Sequence, residues 1–169
     1  MQEPWAIREV SRRGYAAEVA AMIRIEAEIF EPERREPEAR IVACIEEGVA
    51  QVACIQDSIV GYALALPLEA VSETPGPAQD AQLGSGTSAY AVAMGVVPAW
   101  RRQGLGSALK RAQLDALRER FRFLCGRQRW PEAAAMLRVN TAFGAQPQML
   151  IYGAYGVPDG LSIYYRIPL

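Results

Sequence analysis

The chain of 169 residues contains no histidine and only one lysine, Lys110. The absence of histidine excludes the most common general base, the usual partner of a nucleophilic serine and the most common metal ligand. The three cysteines, Cys44, Cys54 and Cys125, are odd in number and have no C-x-x-C spacing. This pattern disfavours a zinc site and a disulfide framework, so we expect no metal and three small core residues in a reducing compartment.

Long apolar runs are also missing from the sequence. The longest nearly apolar stretch, AYAVAMGVVPAW at 89–100, is shorter than the about 20 residues that a membrane-spanning helix needs. The N-terminal MQEPWAIREV has no signal-peptide pattern. We therefore expect a cytoplasmic protein without a membrane partner. The single lysine beside many arginines and alanines is typical of a GC-rich bacterial genome.

Net charge is close to zero, at -1, but the charges are unevenly distributed. Residues 101–129 hold nine basic residues and two acidic ones, whereas residues 26–47 hold eight glutamates and three arginines. The first segment favours anions and the second favours cations, unless both are solvated helix faces. The neutral total and the scarcity of aromatic residues among the basic ones predict no nucleic-acid partner, although a basic stripe keeps that hypothesis testable.

The hydrophobic periodicity predicts a single α/β domain over 1–169, with a mixed sheet flanked by helices in the order β-α-α-β-β-β-α-β-α-β-β. A Pro-, Gly- and Ser-rich stretch at 69–88 is expected to be a flexible loop within it. The predicted strands and helices follow one another as a strand at 5–10, helices at 14–30 and 37–47, strands at 49–56, 59–68 and 89–97, a helix at 104–120, a strand at 120–126, a helix at 131–140, and strands at 148–155 and 161–169.

The stretch WRRQGLGSAL at 100–109 joins a buried strand to a helix through two arginines and a G-x-G. The first amides of a helix lack internal partners and lie at the positive end of its dipole. Because Gly104 and Gly106 have no Cβ, a ligand can approach the backbone there, which favours phosphate or pyrophosphate binding. A P-loop is excluded because Ser107 replaces its lysine. A Rossmann motif is excluded because Leu109 replaces its third glycine.

The run MGVVPAWRRQGLGSALKRAQLDAL resembles motif A of the GCN5-related N-acetyltransferase (GNAT) superfamily, V-x-P-x-x-R/Q-x-x-G-x-G/A, at Val96, Pro98, Arg101, Gly104 and Gly106. The resemblance implies the fold of that superfamily, acetyl-CoA as co-substrate, an amine acceptor and, as in many relatives, a homodimer. It implies that the backbone of Met94, Gly95 and Val96 pairs with the pantetheine arm. It also implies that Arg101, Arg102, Gln103, Gly104, Leu105, Gly106 and Ser107 hold the pyrophosphate.

The second motif of the superfamily, N-x-x-A-x-x-L-Y-x-x-x-G-F, is only partly present in PEAAAMLRVNTAF at 131–143. Arg138 stands in place of the tyrosine that often acts as general acid, and arginine does not readily give up a proton. Asn140 is a nearby polar alternative. Tyr90 occupies the position of the glutamate that acts as base in some relatives.

Two further candidates for the base are Glu28 and Glu31, at the end of the first predicted helix. Without histidine, the amine must lose its proton to a carboxylate, a tyrosine or water, or proximity to the thioester must suffice. Backbone groups near Met94 are candidates for binding the oxyanion. Arg127 and Arg129 are expected beyond the fifth strand, where they would reach CoA phosphates or an acidic acceptor unless they lie on the surface.

These features predict an acyl-CoA-dependent N-acyltransferase, an acetyltransferase in which an amine attacks the thioester directly. The glutamates at 26–38 favour a cationic acceptor. The alternative is a non-catalytic acyl-CoA-binding sensor with the same fold, which the incomplete second motif favours. Four tyrosines lie in the predicted closing hairpin, where alternation favours core or edge packing over the lining of a pocket, at Tyr152, Tyr155, Tyr164 and Tyr165.

Overall fold

The computed structural model describes residues 4–154 and 160–169. The described residues form seven strands and four α-helices in the predicted order. Their bounds are β1 Ala6–Glu9, α1 Ala16–Ile29, α2 Glu38–Glu46, β2 Val49–Ile55, β3 Ser58–Pro67, β4 Ser88–Val96, α3 Leu105–Leu117, β5 Phe123–Trp130, α4 Ala134–Ala142, β6 Gln146–Tyr152 and β7 Leu161–Pro168.

The seven strands form one mixed sheet in the order β1-β2-β3-β4-β5-β7-β6. Strands β4 and β5 are parallel, and the helix α3 connects them in sequence. Strand β7 lies between β5 and β6 and is antiparallel to both. The predicted fold class, a mixed α/β sheet flanked by helices, is confirmed.

The chain divides into two compact units, residues 1–65 with 92–116 and residues 66–91 with 117–169. In the first unit, β1, β2 and β3 form an antiparallel ladder. The helix α1 buries one apolar stripe, as expected for an amphipathic helix on a sheet, and α2 buries another. The buried apolar residues of these two helices are Val19, Met22, Ile25, Ile41, Cys44 and Ile45.

The second unit contains β5, β7 and β6, together with α4 and the segment between β3 and β4. The composition of that segment predicts a loop at 69–88, but it contains two short 3-10 helices, Leu68–Val71 and Pro77–Gln79. The side chain of Asp80 in this segment is buried.

The sequence-based bounds of three elements are wrong in this unit. The fifth strand is predicted to end at 126, but it continues to Trp130 because each residue from Phe123 to Trp130 pairs with β7. Arg127 and Arg129 therefore lie within the strand, not beyond it. The following helix begins at Ala134, so Pro131 precedes it. The strand predicted at 148–155 spans Gln146–Tyr152, and Tyr155 lies outside the described residues.

All three cysteines are free thiols, and Cys44 and Cys125 are fully buried, whereas Cys54 is partly exposed.

Over residues 4–154 and 160–169, no helix is long and apolar enough to cross a membrane. The same residues contain no cluster of histidine, cysteine, aspartate or glutamate side chains that would hold a metal ion.

Candidate active site

The corner between β4 and α3 carries the geometry of an anion site. After β4 ends at Val96, one turn of 3-10 helix, Pro98–Trp100, leads into the exposed residues 101–104. The carbonyl of Gly104 accepts the amide of Ala108 at 3.0 Å, so the amides of Leu105, Gly106 and Ser107 precede the intrahelical bonds. Such amides point away from the helix and favour a negatively charged ligand.

Backbone conformation at this corner explains its glycine content. Gly104 has a φ of +87°, a region that residues with a Cβ rarely adopt. Arg102 has a φ of +61°, which is uncommon for a residue other than glycine. A Cβ built on Gly104 or Gly106 would meet no atom within 4 Å. The space beside both residues is therefore open, and a side chain there would occupy it.

The two arginines of the corner behave differently. The Nε of Arg101 donates a hydrogen bond of 2.9 Å to the carbonyl oxygen of Val96, so this side chain folds back onto the end of β4. Arg102 is exposed and lies within the corner itself. Both are predicted to add positive charge for a phosphate. Arg101 additionally fixes the path of the chain from the strand into the turn.

Part of β4, the strand that precedes the corner, lies beyond its ladder with β5. Pairing with β5 covers Ser88, Ala89 and Tyr90. The backbone of Met94 and Val96 therefore lies beyond the described ladder, as a backbone that is to pair with a ligand requires. Gly95 has a different role, because a Cβ on it would come within 2.5 Å of Cδ1 of Ile29 and 2.8 Å of Cε1 of Tyr62.

The predicted catalytic side chains occupy different environments. Tyr90 is 5% exposed and lies on β4 opposite Cys125 of β5. Arg138 is exposed on α4. Glu31 is exposed and forms an ion pair of 3.2 Å with Arg34. Glu28 is exposed at the end of α1.

Glu28 lines a surface cavity of about 510 Å³ in the first unit. Val97, the residue that follows β4, lines the same cavity. Two more carboxylates, those of Glu18 and Asp57, also face it, together with Arg8 and Arg24. Glu28 is thus the predicted base that shares a cavity with the end of the candidate cofactor strand.

Sequence reasoning missed a buried carboxylate on the same helix. Glu26 is 1% exposed, and its carboxylate accepts a hydrogen bond from the hydroxyl of Tyr62 and another from the amide of Glu36 at 3.0 Å. Burial raises the pKa of Glu26, and the hydrogen bond from Tyr62 acts in the opposite direction. The position of Glu26 at the i+7 spacing from Val19, on the apolar stripe of α1, was the available signal for its burial.

The single lysine is also buried. Lys110 is 2% exposed on α3, and burial lowers its pKa to about 7. Its Nζ donates to Oε1 of Gln113, which is also buried. The apolar residues that predict the buried face of α3 include Ala108, Leu109 and Ala112. Their spacing does not indicate that Lys110 is buried as well.

In the second unit, Asp80 is the centre of a buried polar cluster. Its carboxylate accepts hydrogen bonds from Oη of Tyr164 at 2.6 Å, from Nη2 of the Arg166 guanidinium at 2.5 Å and from Sγ of Cys125 at 3.4 Å. Burial acts to raise the pKa of Asp80, but the hydrogen bonds from Tyr164 and the amide of Gln82, with the charge of Arg166, outweigh it, and the pKa is lowered. Burial raises the pKa of the Cys125 thiol.

Three of the predicted hairpin tyrosines lie in the described residues. Tyr164 and Tyr165 are buried, as expected for core packing, and Tyr152 is exposed. Arg127 donates from Nη1 to the carbonyl of Pro75 at 2.8 Å, and Arg129 lies 3.6 Å from the carboxylate of Glu132. Asn140, the alternative acid, is 1% exposed on α4, and its Oδ1 has no hydrogen-bond partner.

Comparison with known proteins identifies the family of this chain. The model of the acetyltransferase (GNAT) family matches residues 19–136, more than half of the sequence. No curated protein matches it. The solved structure of Ard1 from Thermoplasma volcanium is 20% identical, with 98% of both chains covered and a TM-score of 0.74.

Two more solved structures share the fold. The ribosomal-protein-S18-alanine N-acetyltransferase from Escherichia coli is 18% identical over 97% of this chain and 93% of that chain, with a TM-score of 0.70. A GNAT family acetyltransferase from Elizabethkingia anophelis, with acetyl-CoA bound, is 11% identical over 99% of this chain and 100% of that chain, with a TM-score of 0.68. From the match over residues 19–136, the chain belongs to the acetyltransferase (GNAT) family.

Proposed function

We propose that the protein is an acyl-CoA-dependent N-acyltransferase that transfers an acetyl group from acetyl-CoA to an amine. Family membership supports the reaction class. The observation that carries the proposal is the open backbone at Gly104 and Gly106, at the first turn of a helix that directly follows β4. This corner fits a diphosphate, because it offers helix-terminal amides, exposed Arg102 and space that no Cβ fills.

The chain's own residues would divide the binding of acetyl-CoA among them. The amides from Arg102 to Ser107 would hold the pyrophosphate, and the guanidinium of Arg102 would add charge. The backbone of Met94, Gly95 and Val96 would pair with the pantetheine arm. Arg101 would keep the strand end and the turn in register through its bond to Val96. Preorganised groups of this kind cost little to arrange when a ligand binds.

When bound, acetyl-CoA supplies a thioester whose acyl group an amine can take, releasing the thiol of CoA. The amine must first be neutral, and Glu28 is the candidate that removes its proton, directly or through a water molecule. In the cavity of Glu28, the carboxylate of Glu18 is paired with Arg8 at 2.8 Å, and Asp57 and Arg24 also line it. The three carboxylates exceed the two guanidinium groups by one, and this excess favours a cationic acceptor there. Backbone amides near Met94 are candidates for stabilising the developing oxyanion.

The remaining candidates contribute less directly. Tyr90 is a poor base unless its phenol loses its proton easily, and it is 5% exposed. Arg138 would stabilise a departing thiolate by charge, since a guanidinium does not serve as proton donor. Glu31 is held by Arg34 and would act only after that ion pair opens.

The second candidate function is a sensor that binds acyl-CoA without turnover. The burial of Tyr90 and the arginine at position 138 favour it, because neither supplies an ordinary base or acid. The two functions make the same prediction for binding and opposite predictions for thiol release. A thiol-release assay with acetyl-CoA over a panel of primary amines separates them.

The corner is tested by calorimetric titration of acetyl-CoA into the wild type and into Gly104→Glu and Gly106→Glu. We expect one site per chain in the wild type and loss of binding in both variants, because the new side chain fills the open space and repels the phosphates. Gly144→Glu is the matched control for Gly104→Glu, since Gly144 has the same φ of +87° and nothing within 4 Å of its Cβ position. A folded wild type that ignores acetyl-CoA and CoA at millimolar concentration would refute the proposal.

A further inference from the structure

A buried glutamate and a buried tyrosine form a pair to which the proposed reaction assigns no role. Glu26 on α1 and Tyr62 on β3 are both at most 1% exposed. The hydroxyl of Tyr62 donates to Oε1 of Glu26, and the backbone amide of Glu36 donates to Oε2 at 3.0 Å. Each oxygen of the carboxylate is thus held by a donor. Burying a carboxylate is costly, so its presence on the apolar face of a helix requires an explanation.

The ring of Tyr62 connects this carboxylate to β4. A Cβ built on Gly95 would lie 2.8 Å from Cε1 and 3.1 Å from Cζ of Tyr62. The ring edge that carries the hydroxyl therefore packs directly on the backbone of Gly95. Because the hydroxyl is bonded to Glu26, the position of the ring on that backbone is fixed from α1. All of these residues belong to the first compact unit.

The neighbouring strand holds the same stretch of β4 within the sheet. A Cβ on Gly61, the residue before Tyr62, would lie 3.0 Å from the carbonyl oxygen of Gly95. The amide of Val97 donates to the carbonyl oxygen of Val60 at 3.0 Å. These contacts fix the distance between β3 and β4 in the plane of the sheet. The ring of Tyr62 restrains Gly95 perpendicular to that plane, the direction in which side chains leave a strand.

We propose that Glu26 is a positioning residue for acyl transfer, acting through the ring of Tyr62 on the backbone of Gly95. The inference rests on the proposed function, in which the backbone of Met94, Gly95 and Val96 holds the pantetheine arm and stabilises the oxyanion. Donors to an oxyanion act at about 2.7–3.1 Å, so a small displacement of this backbone weakens them. Glu26 touches neither substrate in this role and transfers no proton.

Conservative variants separate positioning from folding stability. Tyr62→Phe keeps the ring beside Gly95 and removes the hydroxyl through which Glu26 holds it. Glu26→Gln has one carbonyl oxygen, which accepts the hydroxyl or the amide of Glu36 but not both. In the double variant, that oxygen accepts the amide and the phenylalanine needs no acceptor. Its urea midpoint should therefore exceed that of Tyr62→Phe, in which a buried carboxylate oxygen is left unpaired.

The first measurement is carbon-13 NMR of acetyl-CoA labelled at the acetyl carbonyl. In the wild type we expect the carbonyl signal to move downfield on binding, because backbone amides polarise the bond. In Tyr62→Phe and in the double variant, the bound signal should lie closer to that of free acetyl-CoA. The dissociation constant of CoA should stay within about twofold of the wild type, since the corner between β4 and α3 is unchanged.

The second measurement is thiol release from acetyl-CoA with the primary amine that reacts fastest with the wild type. The kcat should fall about tenfold or more in Tyr62→Phe and in the double variant, with KM for acetyl-CoA within about twofold. A low kcat in a double variant of restored stability separates positioning from folding. The loss should be equal at every pH. A loss in Glu26→Gln that shrinks as pH rises would make Glu26 a base and overturn the positioning role.

Tyr15→Phe is the matched control. The hydroxyl of Tyr15 donates to Oε1 of Glu46 at 2.5 Å, so this variant removes a tyrosine–glutamate bond at the opposite end of α1. We expect the carbonyl signal and kcat of the wild type. Equal losses in Tyr15→Phe and Tyr62→Phe would reveal a general effect on the first unit and would contradict the proposal.

The proposed function and the role of Glu26 give distinguishable failures. A folded wild type that binds neither CoA nor acetyl-CoA refutes the proposed function and this inference with it. A wild type that releases thiol, with variants that keep both its carbonyl signal and its kcat, refutes only the role of Glu26. If the wild type binds acetyl-CoA without turnover, the protein is a sensor, Glu26 positions no reaction, and the inference is wrong.

Discussion

Lys110 and Gln113 form a buried pair one turn apart on α3, with Nζ of Lys110 donating to Oε1 of Gln113 at 2.9 Å. Gln113 in turn donates from Nε2 to the carbonyl oxygen of Leu64 on β3 at 3.0 Å. Both side chains are at most 2% exposed. The pair therefore ties the helix that follows the cofactor corner to the sheet through polar contacts within an apolar core.

This pair predicts a pH-dependent stability. Because burial lowers the pKa of Lys110 from 10.5 to about 7, the unfolded chain binds more protons than the folded chain between those values. The free energy of unfolding should then rise with pH from about 7 to 10.5, by about 1.4 kcal/mol per pH unit where the difference is one proton. Below pH 7 both states are protonated, and the cost of burying the charge is fully present.

The measurement is urea unfolding at several pH values for the wild type and Lys110→Met. Buried thiols with raised pKa act in the opposite direction in alkaline solution, so the difference between the two proteins isolates Lys110. Arg111→Met, at the exposed neighbouring position, is the control. If the free energy of unfolding changes with pH in the same way in the wild type and in Lys110→Met, Lys110 is charged in the folded protein.

Asp80 is predicted to be the main electrostatic anchor of the segment between β3 and β4. Asp80→Asn removes the charge that pairs with Arg166 and weakens the bonds from Tyr164 and Cys125, and we expect a loss of about 3 kcal/mol. Because the pKa of Asp80 is lower in the folded protein than its ordinary value of 3.8, the ionised carboxylate stabilises the folded state at pH values above 3.8. This stabilisation is lost as the pH falls through the pKa of the folded state. Chemical unfolding at about pH 7 and about pH 3 checks both statements.

Asp57→Asn serves as the comparison for Asp80, because Asp57 is exposed in the turn between β2 and β3. Its effect should stay within about 0.5 kcal/mol, as for surface substitutions in general. Equal effects of the two substitutions would argue against an anchoring role for Asp80.

Gly95 is predicted to be required for packing rather than for backbone freedom. Gly95→Ala places a Cβ 2.5 Å from Ile29 and 2.8 Å from the ring of Tyr62, which Glu26 holds in place. We expect a loss of about 1–3 kcal/mol, since overpacking forces neighbours out of position. Thermal unfolding measures it.

Gly106→Ala is the matched substitution for Gly95→Ala. Its Cβ meets open space, and alanine is the better helix former, so stability should rise by up to about 1 kcal/mol. The double variant Gly95→Ala with Ile29→Ala should recover part of the loss if Ile29 is the obstacle. No recovery would leave the ring of Tyr62 as the cause.

Glu28 is predicted to be the proton acceptor of the proposed reaction. Glu28→Gln should lower the rate of thiol release with a primary amine by about 100-fold, because general bases commonly contribute this much. The loss should shrink as pH rises and the amine becomes neutral in solution. Steady-state rates between about pH 6 and 10 give the profile, because unprotonated amine is scarce below that range.

Glu33→Gln is the control, since Glu33 is an exposed glutamate of the short 3-10 helix Pro32–Arg34, which follows α1. A uniform, pH-independent effect of Glu28→Gln would assign Glu28 to amine binding instead of proton transfer. Unchanged rates would move the base to Tyr90 or to solvent.

Local patterns were sufficient for the element order and for the open glycine turn before α3. The glycines at 104 and 106, the arginines before them and the apolar strand act over a few residues, and their consequences follow from backbone geometry. The end of β5 was misplaced because the consecutive polar residues Arg127, Gln128 and Arg129 give no strand pattern, and they form a strand through pairing with β7. That pairing involves residues at distant positions in the chain.

Among the buried charged residues, only Glu26 has a sequence signal for its burial, its place on the apolar stripe of α1. Glu26, Asp80 and Lys110 belong to residue types that are usually exposed, and their burial depends on partners elsewhere in the fold. Tyr62 lies 36 positions from Glu26, and Tyr164 lies 84 positions from Asp80. The sequence by itself determined the fold class, the family resemblance and the position of the glycine turn before α3, because these depend on contiguous residues. Only the tertiary structure decided which charges are buried, which glutamate shares a cavity with the end of β4, and that the ring of Tyr62 lies between Glu26 and Gly95, because each depends on how distant segments pack.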